Sequence, residues 1–236
     1  MAEAYYSDNE IKRAVERTVI LRPPQQTLAT FGITKIRYYM LTEPVSFNEL
    51  EEREETVIRE GNVIAQRPRV VTPYYLSQME GFSPNAKRYH DTLIKKLGRE
   101  VPGILYSYRN ESQRLNIVAG GLPSVAEQIK KDIDEKKDTL ATIIRGEDDL
   151  WDVSLFKFIY ELTAHSLQNN LEQLGSRGLL KVGADGVPAD TRMMIEELFK
   201  AVVEGESETQ QLKEELERWN LFEEYQDRFF KLFKKR

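Results

Sequence analysis

The sequence predicts an α+β fold, in which an N-terminal half of antiparallel strands and hairpins, with two or three helices, precedes a mainly α-helical C-terminal half. Two observations predict this division. Strand-like alternation is confined to the residues before 119, and helical spacing of apolar residues dominates beyond 121. The tyrosines follow the same division, since nine of the eleven precede residue 109. Residues 1–120 are therefore predicted to form a mixed α/β lobe and residues 121–236 an acidic helical lobe, either as separate domains or within one continuous domain.

The first predicted helix begins at Ser7, because Ser7 and Glu10 have the spacing of a capping box. Its apolar face extends from Ile11 to Val19, and Pro23 with Pro24 ends the helix. The next element is a strand over Thr34–Thr42, where apolar and polar residues alternate.

Two hairpins are predicted in the N-terminal half. The first covers residues 56–65 and turns at 60–62, a segment that contains a glycine. The second covers residues 104–118 and turns at 110–112. Between the two hairpins, a serine–proline pair and a later glycine predict a helix over residues 83–98.

The Gly120-Gly121 pair is predicted to join the two lobes, since strand signals cease beyond it. The helices that follow are predicted to begin at four places: Ser124, Asp148 or Asp149, Ala189 and Ser207. The second of these is apolar around most of its circumference, which predicts a helix whose first half is central and buried and which ends near Leu174. The last carries an apolar stripe to Leu232 and is predicted to be one amphipathic helix.

Composition excludes several classes of function. The chain contains no cysteine, which excludes thiolate nucleophiles, zinc bound by cysteine, iron–sulfur clusters and disulfides. Residues 1–118 hold seventeen basic and fifteen acidic residues, and 119–236 hold seventeen and twenty-four, so the halves carry +2 and −7. A net anion is disfavoured as a general coat for nucleic acid or membranes.

No segment approaches the roughly 20 apolar residues of a membrane-spanning helix. The first residues also lack the basic segment and apolar run of a secretory signal. We therefore expect a soluble, cytoplasmic protein that uses no cofactor.

Aromatic and guanidinium side chains are concentrated on the predicted strands and at the basic C-terminal end of the chain. Such residues are enriched in protein interfaces, they also stack on single-stranded nucleic acid, and tyrosine packs well within sheets. We call the predicted contact residues the Tyr/Arg set: Arg37, Tyr39, Arg67, Arg69, Tyr75, Tyr108, Arg109, Phe230 and Lys234.

The Tyr/Arg set favours a non-catalytic intracellular interaction or adaptor protein, which contacts a protein partner or a second copy of itself. The contacts are expected through the sheet and through the amphipathic C-terminal helix. The alternative is a regulatory protein associated with nucleic acid.

The second alternative is a magnesium-dependent enzyme. The run Asp148-Asp149-Leu150-Trp151-Asp152 resembles the D-D-x-x-D motif of isoprenyl diphosphate and terpene synthases over five residues, and that resemblance implies magnesium bound by the three aspartates. Aspartates are also favoured at a helix N-terminus. His165, with Glu161 one helical turn before it, is a candidate acid–base pair or a histidine satisfied by its own helix.

Overall fold

The computed structural model describes residues 6–44, 54–70, 79–80, 83–85, 88, 92, 104–181, 183, 187–219 and 221–233. Two compact units are present, one containing Met1–Pro68 and Leu76–Asn170, the other Arg69–Tyr75 and Leu171–Arg236. The predicted α+β class is confirmed, because the sheet is built mainly from N-terminal strands and the helices lie mainly in the C-terminal half. The boundary predicted at residue 120 falls inside the first unit, and the assignment of two lobes stays a prediction.

The described helices are α1 (Asp8–Arg17), α2 (Leu122–Glu135), α3 (Trp151–Ser176), α4 (Ala189–Glu204), α5 (Thr209–Arg218) and α6 (Phe222–Lys231). The described strands are β1 (Val19–Arg22), β2 (Thr34–Thr42), β3 (Glu55–Ala65), β4 (Arg69–Val70), β5 (Met79–Glu80), β6 (Ile104–Leu105), β7 (Tyr108–Ala119) and β8 (Ala141–Arg145). The main sheet belongs to the first unit and has the order β1-β8-β2-β3-β7-β5. Within it, β2 is parallel to β8 and β5 is parallel to β7, while the other pairs are antiparallel.

Helix α1 begins where the sequence predicts and ends earlier. The capping box is present, since the Glu10 amide donates to the Ser7 hydroxyl at 3.4 Å and the Ser7 amide donates to the Glu10 carboxylate at 2.7 Å. The predicted extension to the prolines is wrong, because Thr18 is extended and Val19–Arg22 forms β1 against β8. The Lys157 ammonium donates to the carbonyls of Val15 and Thr18, which lie at the C-terminus of α1.

Both hairpins predicted in the N-terminal half are wrong. Strands β3 and β7 each run without a turn, and they pair with each other along their whole length. The register shifts between Glu60 and Gly61, so the glycine accommodates a β-bulge rather than a turn. A Cβ at Gly61 would lie within 2.7 Å of the Glu111 carbonyl oxygen and closer still to the Tyr38 hydroxyl. The glycine at this position is required for close approach of neighbouring strands.

Strand β8 is a central strand that the sequence does not predict. Ala141–Arg145 lies between β1 and β2, and its first four residues are buried. A short apolar run without alternation is typical of a strand buried on both faces, and periodicity alone does not distinguish it from buried helix. The expectation that strands end before residue 120 is therefore wrong.

Helix α2 connects β7 to β8 and covers one face of the sheet. Its N-cap is Gly121, with Pro123 in the first turn, so the helix begins before the predicted start at Ser124. A set of apolar side chains from the helix and from three strands forms the core on this face: Leu41, Ile58, Leu122, Ala126, Ile133, Ala141 and Ile143. This packing holds the central strands in place from one side.

Helix α3 confirms the predicted central helix, since most of its side chains from Asp152 to Ile159 are buried. Its end is marked by Gly178, whose φ of +71° is the left-handed conformation that glycine adopts readily. In the first unit, the buried Asn170 accepts a hydrogen bond from Thr30 at 3.0 Å and donates to the Tyr106 hydroxyl at 2.9 Å. These bonds connect the helix to the loop after β1 and to the segment before β7.

The second unit is helical, and the single amphipathic helix predicted at its end is wrong. The apolar stripe is divided between α5 and α6, and the Leu221 amide donates to the Leu216 carbonyl at the break. Leu212, Leu216 and Phe229 of this stripe are buried, in a core that also contains Val187, Ile195, Phe199 and Leu221. None of the described helices combines the length and the apolar character needed to cross a membrane.

Candidate interaction surface

The tyrosines of the main sheet lie in the interior. Tyr38 is fully buried, and Tyr106 and Tyr108 are exposed by less than a tenth. Tyr108 donates to the Thr163 hydroxyl at 2.5 Å, since Thr163 itself donates to a carbonyl of its own helix. Burial raises the pKa of Tyr108, and it raises the pKa of Tyr106 to about 12. Tyr39 is half-buried against the α2 core. The structure therefore places Tyr108 under α3 and not on a contact surface.

The arginines of the Tyr/Arg set are engaged with carboxylates or rings. In the first unit, Arg37 pairs with Asp138 at 3.6 Å and Arg109 with Glu111 at 2.5 Å. Arg67 lies over the Phe31 ring at 5.6 Å. The registers align Arg37 with Asn62 and Asn62 with Glu111, which places Arg37 and the Arg109–Glu111 pair on one face, separated by β3. The structure thus brings these two arginines to the same face.

The remaining members of the Tyr/Arg set lie in the second unit or outside the described residues. Arg69 pairs with Glu215 at 2.9 Å, and Phe230 is 51% exposed at the end of α6. Phe233 is also exposed, at 56%. Arg228 stacks over the Phe199 ring at 4.1 Å and holds Glu196 with two hydrogen bonds. Tyr75 and Lys234 fall outside the described residues, as do most residues of the helix predicted over 83–98.

The three aspartates of the predicted magnesium site have separate partners. Asp148 accepts hydrogen bonds from Arg59 at 2.7 Å and from the Thr42 hydroxyl. Asp149 is hydrogen-bonded to Tyr6, and the buried Asp152 accepts from the amides of Ser83 and Val153. Within the described ranges, no group of three or more histidine, aspartate or glutamate side chains is arranged to hold a metal ion. These aspartates link the end of β8 to the start of α3.

The predicted acid–base pair lies on the exposed side of α3. Glu161 forms an ion pair with Lys157 at 3.7 Å, and His165 is exposed one turn further along the helix. Ser166, the next residue, is fully buried and accepts a hydrogen bond from the Leu28 amide. Ser166, on the inward side of this helical turn, therefore stabilises the fold. An acid–base role of His165 stays a prediction.

A surface that the sequence does not identify lies along the outer side of β7. The described partner on that side is β5, which pairs with β7 at Tyr108 and Arg109. We call residues 110–119 of β7 the β7 edge. Leu115 and Ile117 are 59% and 58% exposed there, although Val57, directly opposite Ile117 on β3, is buried. Apolar side chains on this face of the sheet thus extend from the buried part of β3 onto the exposed β7 edge.

The backbone of the β7 edge follows from its pairing with β3. The Gly120 amide donates to the Glu54 carbonyl at 2.7 Å, so alternate residues before it, such as Asn116, direct their backbone groups toward β3. Leu115 and Ile117 therefore direct their N–H and C=O groups outward. The alternation of Leu115, Asn116 and Ile117 predicts a strand, but nothing in it identifies the outermost part of a sheet.

No protein-family model, curated protein or solved structure matches this chain.

Proposed function

We propose that this chain is a non-catalytic protein-interaction protein that binds an extended polypeptide segment along the β7 edge. The proposal rests on two properties that Leu115 and Ile117 share. Both residues expose an apolar side chain, and both direct backbone donors and acceptors away from β3. An added strand satisfies those backbone groups, and its side chains cover the apolar ones.

Part of the stabilisation available at this edge follows from the exposed fractions of its apolar side chains. Full burial of a leucine or isoleucine side chain contributes about 1.5–3 kcal/mol, so the exposed fractions of Leu115 and Ile117 correspond to about 1–2 kcal/mol each. Backbone hydrogen bonds with the added strand contribute further. Binding of a short segment in the micromolar range requires about 8 kcal/mol net of the cost of association, so contacts beyond Leu115 and Ile117 must contribute as well.

Residues 115–119 of the edge carry none of the side chains that usually protect a strand from pairing. Exposed edge strands commonly carry lysine, proline or inward-pointing charges, which prevent pairing with other chains. Residues 115–119 read Leu-Asn-Ile-Val-Ala and contain neither charge nor proline. An unprotected edge of this kind supports a binding role for it.

The charges of the Tyr/Arg set favour a protein partner over nucleic acid. Arg37, Arg69 and Arg109 each hold a carboxylate of the same chain, and each bond competes with a phosphate group. Phe230 and Phe233 in the second unit offer a further apolar contact. The cytoplasmic location stays a prediction from the sequence.

Site-specific photo-crosslinking tests the proposal in cells that express the chain. A photoreactive amino acid replaces Ile117, and in a matched control it replaces Glu127, which is exposed on α2. We expect a discrete adduct at position 117, with the crosslinked residues of the bound chain forming one extended segment, and no such adduct at 127. The proposal fails if position 117 yields no adduct above the control, or if Leu115→Lys leaves the adduct at 117 undiminished.

A further inference from the structure

We infer that the segment bound on the β7 edge is the β7 edge of a second copy of this chain, paired antiparallel across a two-fold axis at Asn116. The inference rests on the proposed function, and it adds the identity of the partner. A two-fold interface requires a surface that is complementary to itself. The β7 edge meets that requirement in its backbone, its apolar side chains and its charges.

The backbone restricts the registers that two such edges can adopt. In an antiparallel pair, residues with outward backbone groups must face residues of the same kind. The register shift leaves Gln113 without a partner on β3, and over residues 114–119 the outward groups belong to the odd-numbered residues, so within this part of the edge Leu115 and Ile117 must face odd-numbered residues of the second copy. The two-fold axis then passes through a residue and not between two residues. Near the exposed Leu115 and Ile117, the axis can therefore pass through residue 114, 115, 116 or 117, and we call this residue the centre of the pair.

The side chains select among these centres. A centre at Arg114 places two arginines directly opposite each other, which destabilises the pair. A centre at Leu115 pairs Ile117 with a glutamine, and a centre at Ile117 pairs Leu115 with an alanine and shortens the ladder, since β7 ends at Ala119.

A centre at Asn116 places Leu115 opposite Ile117 of the second copy, and Ile117 opposite its Leu115. The contact between Leu115 and Ile117 then occurs twice, once on each side of the axis, and every exposed apolar side chain of the two edges is covered. Arg114 lies opposite Val118 of the second copy, so no like charges meet in the ladder from 113 to 119. Of the four centres, Asn116 is therefore the one that pairs both apolar side chains with each other and opposes no like charges.

Sedimentation analysis tests the pairing of two copies. We expect the wild-type chain to form a species of twice its mass of 27.5 kDa, at concentrations of about 1–100 μM. Leu115→Lys and Ile117→Lys place charges among the paired apolar side chains, and each is expected to raise the dissociation constant at least about tenfold. Ile33→Lys is the matched control, since Ile33 is 64% exposed elsewhere in the first unit, and its dissociation constant is expected to equal that of the wild type.

A single introduced cysteine tests the register, because the chain contains none of its own. Asn116 faces itself across the proposed axis, in a non-hydrogen-bonded position where Cα atoms lie about 4.5 Å apart. That separation is within the range of a disulfide. We expect Asn116→Cys to form a covalent dimer on mild oxidation, and Gln113→Cys, which lies opposite Ala119, to remain uncrosslinked.

The outcomes separate the inference from the proposed function. A monomer over the whole concentration range overturns the inference, as does a dimer that Ile117→Lys leaves intact or a disulfide that forms at 113 and not at 116. If photo-crosslinking at 117 then captures a different protein along an extended segment, the proposed function stands without the second copy. If the chain is monomeric and position 117 captures nothing, both fail. Unchanged circular dichroism and unfolding midpoints of the lysine variants establish that a loss of pairing is not a loss of folding.

Discussion

The substitution Gly61→Ala tests whether β3 and β7 are continuous strands around a bulge. A Cβ at this position lies 2.6 Å from Tyr38 Cζ and 2.7 Å from the Glu111 carbonyl oxygen, both well inside van der Waals contact. Tyr38 is fully buried, and its hydroxyl donates to Asn110 at 3.1 Å. The ring therefore has no free space into which it can retreat, and β7 must move.

The expected cost follows from these contacts. Overpacking a filled interior costs about 1–3 kcal/mol, and loss of the Tyr38 hydrogen bond adds about 1 kcal/mol. The lower entropy of unfolded alanine offsets about 0.4–1 kcal/mol. The free energy of unfolding of the first unit should therefore fall by about 2 kcal/mol, which lowers the urea midpoint by about 1 M for a typical slope of 2 kcal/mol/M. A hairpin turn at Gly61 leaves room for the methyl group and predicts a smaller change.

The assay is urea unfolding followed by tryptophan fluorescence in a Trp219→Phe background. The chain has two tryptophans, so Trp151 then reports on the first unit alone. Glu127→Ala is the control, since Glu127 lies in the first unit and is exposed on α2. The control should change the free energy of unfolding by less than about 0.5 kcal/mol, because substitutions at exposed positions away from caps and the core are usually close to neutral.

A double substitution identifies the clashing group. Tyr38→Phe removes the hydroxyl that lies closest to the new Cβ. Combined with Gly61→Ala, it should cost less than the sum of the two single substitutions. The reasoning is refuted if Gly61→Ala is neutral or stabilising, or if the two costs add.

Three further predictions concern pH, magnesium and the first helix. Burial raises the pKa of Tyr106 to about 12 and raises that of Tyr108, above an unfolded value near 10, so their stabilising contribution is complete below pH 10 and is lost as the pH rises from 10 toward 12. The free energy of unfolding, measured in urea at each pH, should fall over that window by up to about 1.36 kcal/mol per pH unit for each tyrosine. Magnesium should leave the melting temperature unchanged, since Asp148, Asp149 and Asp152 each have other partners. Ser7→Ala should destabilise α1 by about 1 kcal/mol, measured as faster amide hydrogen exchange in α1.

Each of these predictions has a control. Tyr106→Phe should flatten the fall in stability above pH 10, and an unchanged slope contradicts the assignment to Tyr106. Calcium at the same concentration as magnesium distinguishes a specific site from a general effect of salt, and a rise in melting temperature with magnesium alone restores the enzyme hypothesis. Ser7→Thr retains the hydroxyl and should leave exchange in α1 near that of the wild type. Equal exchange in Ser7→Ala and the wild type excludes the capping contribution.

Features that depend on neighbouring residues were predictable from the sequence. The cap of α1 depends on Ser7 and Glu10, which are three residues apart, and β2 depends on an alternation within nine residues. The buried character of α3 follows from its own apolar circumference. In each case the interacting groups are close along the chain, so the sequence pattern predicts the feature even when its tertiary contacts are unknown.

Only the tertiary structure decided which strands pair with each other and which strand lies at the edge of the sheet. Gly61 marks a turn or a bulge according to whether β7, some fifty residues away, lies alongside. The short apolar run of β8 becomes a central strand because β1 and β2 flank it on both sides. The Tyr/Arg set was read as a surface, yet Tyr108 is covered by α3 and Arg37 is paired with Asp138.

At the candidate site, the exposure of the β7 edge could likewise not be predicted from the sequence. Leu115 and Ile117 have the composition of core residues, and by themselves they predict burial. Their exposure follows from the strand order, which places β7 outside β3 and pairs its outer side with β5 at Tyr108 and Arg109. The sequence by itself predicted a strand that ends at Val118 and in which Leu115 and Ile117 alternate with Arg114 and Asn116. Only the tertiary structure decided that this strand lies at the edge of the sheet, because contacts between residues distant along the chain determine which side chains and backbone groups remain available for binding.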